Sequence, residues 1–196
     1  MNRKHIPDSI KRALLEETVY RCASCLSSIE HCEDDDTFFR FDEKAHIVPH
    51  SETQDDSFEN LITLCPNCHT RFDKNKTRSE SLKRLKNLKK QWLGISGKYS
   101  KLEIDCLLDL VNNRDVPWIS KNALSYEHSD GTKTPVASLM IAKTSLFLFR
   151  NIIDNKLVDK FESDGGISIG DFSLTPVYLA LTQIGREFCT KLTQPK

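Results

Sequence analysis

Residues 64–73 read LCPNCHTRFD: a Cys-x-x-Cys turn with a histidine set directly after its second cysteine. Upstream, RCASC at 21–25 repeats the spacing, and 39 residues lie between the two pairs. Two such turns brought together by folding supply four thiolates, the soft tetrahedral donor set that structural zinc prefers. The chain holds seven cysteines, an odd number that suits a closed disulfide framework poorly. Cys22, Cys25, Cys65 and Cys68 are therefore expected to hold one structural Zn²⁺, with four unrelated buried thiols as the plainer alternative. Thiolates alone complete that coordination, so His69 is left for a second centre. Cys32, Cys106 and Cys189 have no partner at motif spacing and read as buried or free thiols.

Around the two turns the pattern alternates helix and strand. IPDSIKRALLEETVY (6–20) carries Ile10, Leu14 and Val19 near helical spacing behind Pro7 and Asp8, and predicts a first helix. EHCEDDDTFFRF (30–41) reads as an acidic loop running into a short strand, TFFRFDEKAHIV (37–48). LITL (61–64) is a second short strand, and PNCHTRFDKNKT (66–77) starts a helix. Leu82, Leu85, Leu88, Trp92 and Leu93 extend an amphipathic helix to Gly94. A zinc would pin these strands and the helix in register, because a segment below about 80 residues builds a sufficient core only with difficulty.

The formal net charge is zero, but it is unevenly spread: residues 30–43 hold seven acids against one arginine, residues 71–90 nine Lys/Arg against two acids. The basic block is either a phosphate-facing surface or the solvated side of a helix. No apolar run approaches the roughly 18 residues of a membrane span. The opening MNRKHIPDSIKRALLEE is too charged for a secretory signal, and a cytoplasmic location is expected.

GISGKYS (94–100) is the candidate linker, dividing the chain into domains 1–94 and 95–196. Beyond it, KLEIDCLLDLVNN reads as a helix and RDVPWISKNALSYEHSDGTKTP as mostly loop with a turn at Asp130-Gly131. VASLMIAKTSLFLFRNIIDNKLVDKF has helical spacing and reads as buried, and GGISIGDFSLTPVYLALTQIGREFCTKL as a hairpin or wing leading into a final helix. The expectation for this half is a mostly helical, winged-helix-like domain. Its end also resembles, through LT-x-x-G-x-x-F, the wing-and-helix ends of several bacterial defence and abortive-infection proteins.

Three residues fall between or beside the cysteine turns: His46 in KAHIVPH, Asn60 in FENL and His69 in NCHTRFD. This order, framed by the cysteine pairs, resembles the His-Asn-His (HNH) endonuclease family over roughly residues 6–93, through CASC, AHIVPHS and ENLITLCPNCHTRFD. The resemblance implies an α+β chain whose N-terminal part is a ββα-metal nuclease domain with structural zinc. It implies phosphodiester hydrolysis with one divalent ion, Mg²⁺ or Mn²⁺. By that likeness His46 is the general base, a role suited to an imidazole because the residue ordinarily titrates near neutral pH. Asn60 braces the connecting loop and orients His46, or contacts the ion. His69 is a metal ligand at the helix start, and Asp73, one turn on, contributes a second oxygen or carries a bound water. Many relatives place an acidic residue or a second histidine just before the base; here that position is Ala45, which cannot coordinate. The ion is then expected on His69, Asp73, phosphate and water, with His50 in reserve.

The same resemblance implies a DNA duplex met through its minor groove, with the basic block gripping phosphates, contacts that position more than they specify. The chain reads as the effector of an anti-phage defence system, restrained through its C-terminal domain by a regulatory protein such as an ATPase or sensor. The competing reading is a catalytically inactive zinc-containing module that binds nucleic acid or protein, and Ala45 is the feature in its favour.

Overall fold

The computed structural model describes residues 5–32, 38–74, 78–112, 119–127, 129–162, 167–169 and 172–193. The acidic tract at 33–37, residues 75–77 of the basic block and the side chain of Cys32 lie outside the described residues. The chain divides into two compact units between Lys98 and Tyr99, with the residues from Leu192 onward grouped with the first.

The first unit begins with α1 (Asp8–Glu17), whose apolar stripe buries Leu14 and Leu15. Val19 and Tyr20, both at positive φ, turn the chain out of the helix. It then folds back on itself between Arg21 and Ser28, where Cys22 N donates to Ser27 O at 2.9 Å and Leu26 N to Cys22 O at 2.9 Å. Two short antiparallel ribbons follow: β1 (Glu30–Cys32) with β2 (Phe38–Arg40), and β3 (Glu43–His46) with β4 (Leu61–Leu64). In the second ribbon Glu43 stands opposite Leu64, Ala45 opposite Ile62 and His46 opposite Leu61. A loop containing α2 (His50–Thr53) and a 3-10 turn, Phe58–Asn60, joins β3 to β4.

Every residue of β4 is buried, so this strand is the spine of the unit. Leu61, Ile62 and Leu64 pack in a core with Leu14, Ile29, Leu88 and Trp92, each at most 1% exposed. Burying each large apolar side chain contributes about 1.5–3 kcal/mol. After β4 come α3 (Pro66–Lys74) and α4 (Arg78–Ser96). Trp92 Nε1 donates to Ala23 O at 3.0 Å, and Ala23 N donates to Thr63 O at 3.0 Å. These two bonds tie the first cysteine turn to α4 on one side and to β4 on the other. Lys89, counted above among the exposed cations of the basic block, instead points inward. Its Nζ lies 2.7 Å from Glu17 Oε2 and 3.5 Å from the centre of the Phe58 ring. Burial lowers the Lys89 pKa and raises that of Glu17, each opposed by the other's charge. The reason is position: Leu85, Leu88, Lys89 and Trp92 share one helical face, the face that packs.

The second unit is α+β and is not mostly helical. Its helices are α5 (Lys101–Val111), α6 (Arg150–Asp154) and α7 (Gln183–Thr193). Strands β5 (Ile119–Glu127), β6 (Lys133–Ala142), β7 (Val158–Glu162) and β10 (Pro176–Leu181) form an antiparallel sheet in the order β5-β6-β10-β7. A hairpin, β8 (Ile167–Ile169) with β9 (Phe172–Leu174), stands apart from it. Residues 119–127, expected as loop, and VASLMIA, expected as helix, are strands. A continuous apolar run carries no period that separates the two structures. The pleat shows itself in burial, with Leu139 inside and Met140 exposed. The turn expected at Asp130-Gly131 joins β5 to β6, with Gly131 at φ 81° and Thr132 N donating to Asp130 Oδ1 at 2.9 Å.

Glu103 organises this unit. Its buried carboxylate accepts from Ser100 N at 2.9 Å, Ser100 Oγ at 3.0 Å, Asn151 Nδ2 at 3.1 Å and Ile152 N at 3.1 Å. The LT-x-x-G-x-x-F segment also has a structural account. Thr182 Oγ1 accepts from Gly185 N at 3.0 Å and donates to Lys156 O at 2.7 Å, fixing the start of α7. A Cβ on Gly185 would stand 2.0 Å from Leu157 O, and Phe188 packs edge-on against Tyr99 at 5.3 Å.

Candidate active site and metal centres

The two cysteine turns meet. One ligand atom from each of Cys22, Cys25, Cys65 and Cys68 lies within 4.8 Å of every other, and the Cys25 and Cys65 sulfurs are 3.8 Å apart. Four sulfurs each about 2.3 Å from one tetrahedral zinc stand roughly 3.8 Å from one another, so the set fits that ion. Burial pushes the Cys22 thiol up, and pushes Cys68 up to about 11 with help from the neighbouring thiols. Cys25 behaves differently: burial opposes its ionisation, but hydrogen bonds from Ser27 and the adjacent thiols outweigh it and bring it down to about 7. His69 is not among the clustered ligands. Cys106 and Cys189 are buried thiols, pushed up by burial to about 12 and about 11.

Strand β3 carries the next residues. Its two-residue period puts Glu43 and Ala45 on one face and Lys44 and His46 on the other. His46, with its side chain only 9% exposed, places Nε2 2.7 Å from Asp56 Oδ1. A carboxylate only accepts, so Nε2 carries the proton and Nδ1 keeps its lone pair. His50 lies edge-on to His46, ring centres 5.3 Å apart, with its Nε2 3.7 Å from the other oxygen of Asp56.

Asn60 is 6% exposed and fully engaged. Its Nδ2 donates to Val48 O at 3.0 Å and to Asp55 O at 2.9 Å, while its Oδ1 accepts from Val48 N at 2.8 Å. Its own carbonyl accepts from Ile47 N at 2.8 Å. Both ends of the loop after His46 are thereby sewn to one side chain.

His69 sits in the first turn of α3, where its N–H donates to Cys65 O at 3.0 Å. Its Nδ1 donates to Glu43 Oε2, and its Nε2 lies 3.8 Å from Asp73 Oδ2, four residues on. Two donors about 2.1 Å from one Mg²⁺ stand at most roughly 4.2 Å apart, so this pair can share an ion. Among the described residues, no hydrogen bond or ion pair joins His46 to His69, and Ala45, 2% exposed, offers no donor. Asp56 and Glu43 had not been singled out in the sequence. The available signal for Glu43 was its place two residues before Ala45, hence on the same strand face.

On α4, Lys83, Arg84, Lys86 and Lys90 are exposed, and Arg84 stacks over Phe72 at 5.4 Å. Lys86 and Lys90 line a shallow cleft of about 340 Å³ with Ile47, Val48 and Asn60. No helix is long and apolar enough to cross a membrane, among the described residues.

Residues 22–74 match the family model described as HNH endonuclease. The matched span begins at the first zinc-set cysteine, ends with α3, and contains both cysteine pairs, His46, Asn60, His69 and Asp73. Over 29 residues the chain is also 45% identical to a curated protein named Anaredoxin, from Nostoc sp. strain PCC 7120. That stretch is 15% of this chain and covers 38% of the length of the curated relative it matches.

Proposed function

We propose that the HNH domain in residues 22–74 is a divalent-metal-dependent endonuclease that hydrolyses phosphodiester bonds in duplex DNA. The observation that carries this reading is the 2.7 Å contact of His46 Nε2 with Asp56, which leaves Nδ1 as the basic atom of a held imidazole. His46 Nδ1 takes the proton of the attacking water, a contribution of about 10²–10⁴ in rate for a well-placed base. Asp56 fixes the tautomer and steadies the imidazolium that forms. Asn60 acts as the brace, holding the loop that carries Asp56 against the strand that carries His46. His69 Nε2 and Asp73 hold Mg²⁺ or Mn²⁺. Bound there, that ion supplies positive charge for the scissile phosphate and the departing oxygen. The four cysteines hold Zn²⁺ as a structural element, and through the adjacent residues of α3 they fix where His69 stands.

Exposed Lys83, Arg84, Lys86 and Lys90 support contact with the phosphate backbone, which steers and grips without reading sequence. A regulatory protein docked on the second unit belongs to the same reading, supported by the exposed Met140, Phe147, Leu148 and Phe161.

The test is nicking of supercoiled plasmid by the purified chain with Mg²⁺, with Mn²⁺ and with neither. Cleavage is expected with either ion and is lost on chelation. His46→Ala should slow it by at least about 10²-fold while the zinc content stays constant. Full activity in His46→Ala refutes the assigned base. Plasmid binding with no cleavage under any ion selects the inactive zinc-containing binding module, the reading that Ala45 favours.

A further inference from the structure

We propose that Glu43 is a positioning residue of the metal centre in this chain, acting through His69: it accepts a hydrogen bond from Nδ1–H and so aims Nε2 at the ion shared with Asp73. The inference rests on the nuclease reading for the presence of that ion.

The case begins with what position 45 lacks. Ala45 faces inward and offers no oxygen or nitrogen, although the strand face it occupies is the one turned toward α3. Glu43 shares that face one pleat earlier, about 6.6 Å along the strand. It stands opposite Leu64, the last residue before the second cysteine turn, so its carboxylate meets the first turn of α3. There it contacts His69 Nδ1. Because the carboxylate can only accept, the ring is committed to one tautomer, and its remaining lone pair lies on Nε2. That atom is the one that faces Asp73, at 3.8 Å. A metal-binding histidine whose other N–H is held by a carboxylate is better aimed and more basic, and losing the partner costs about 10–100-fold in metal affinity.

A merely structural ion pair would behave otherwise. The Glu43 side chain is 44% exposed and that of His69 29%, and ion pairs this open contribute little to folding. Removing the carboxylate should therefore weaken metal binding and leave the fold in place.

The experiment uses the full zinc-loaded chain without nucleic acid, titrated with Mn²⁺ and followed by electron paramagnetic resonance. Glu43→Gln, which retains an acceptor but no charge, should weaken Mn²⁺ binding about 10-fold, and Glu43→Ala should approach 100-fold. Nitrogen-15 spectra of the Mn²⁺-free protein should show His69 protonated on Nδ1, a preference lost in Glu43→Ala. Zinc content and thermal midpoint should match wild type. Unchanged Mn²⁺ affinity in both variants overturns the proposal, as does a wild-type His69 protonated on Nε2. Cleavage is not read, so the two readings fail separately. Glu43-dependent Mn²⁺ binding in a protein that never cuts DNA refutes the nuclease alone. His46-dependent cutting with Glu43-independent Mn²⁺ binding refutes only the role given to Glu43.

Discussion

His46 is ten residues from the carboxylate that holds it, and no short motif contains both. Asp56→Ala is expected to lower kcat by about 10²-fold with little change in KM, because the proposed base keeps its place on β3 but loses its fixed tautomer. Steady-state cleavage kinetics read this directly; a change confined to KM would assign Asp56 to substrate binding instead. The order His46, Asn60, His69 was legible because it is a pattern of spacing along the chain. The role of Asn60 was legible only as two options. One buried amide donates to Val48 O and Asp55 O and accepts from Val48 N, which supports the bracing role proposed for it. Glu43 and Asp56 were not legible, because a strand-to-helix contact and a loop-to-strand contact are written in no local period.

Among the elements, α4 shows where charge alone misleads, and α7 shows what one motif glycine does in the fold. The block at 71–90 announces its sign but not which cations turn inward, and Lys89 is recovered only from its i, i+4 relation to the buried Leu85. Lys89→Ala should cost about 3–5 kcal/mol in urea unfolding, since it strands a buried carboxylate, whereas the double change Glu17→Leu with Lys89→Met should recover most of it. In α7 the glycine of LT-x-x-G-x-x-F lies against a backbone carbonyl that cannot give way. Gly185→Ala is expected to destabilise the second unit by about 1–3 kcal/mol, measured by thermal or urea unfolding. In that unit the hairpin and the final helix were legible, whereas β6 escaped the sequence reading because it is apolar on successive residues. Only the pairing of Leu139 with Leu179 and Met140 with Tyr178 sorts its two faces.

For the molecule as a whole, the four clustered cysteines of the N-terminal unit fit a structural zinc. The Cys25 thiol is brought down to about 7, so its thiolate is present above that pH and lost as pH falls through it. Zinc uptake by the stripped protein is therefore expected to slow as pH drops below about 7, as a zinc-sensitive dye in stopped flow would show. Uptake indifferent to pH between 6 and 8, on the order of one unit either side, would assign the first capture to another thiol. The two compact units part inside the glycine-containing segment 94–100, where α4 continues through Gly94 to Ser96. Helix formation there is carried by the buried Trp92 and Ile95, which outweigh the glycine. One further consequence follows from Cys68 and His69 being consecutive on α3. A single alanine inserted between them leaves both Cys-x-x-Cys turns whole, yet rotates His69 and Asp73 together by about 100° around the helix. The sulfur and imidazole sites are locked in angular phase on one screw, so the spacing between them tolerates no drift in length even where the residues themselves could be exchanged.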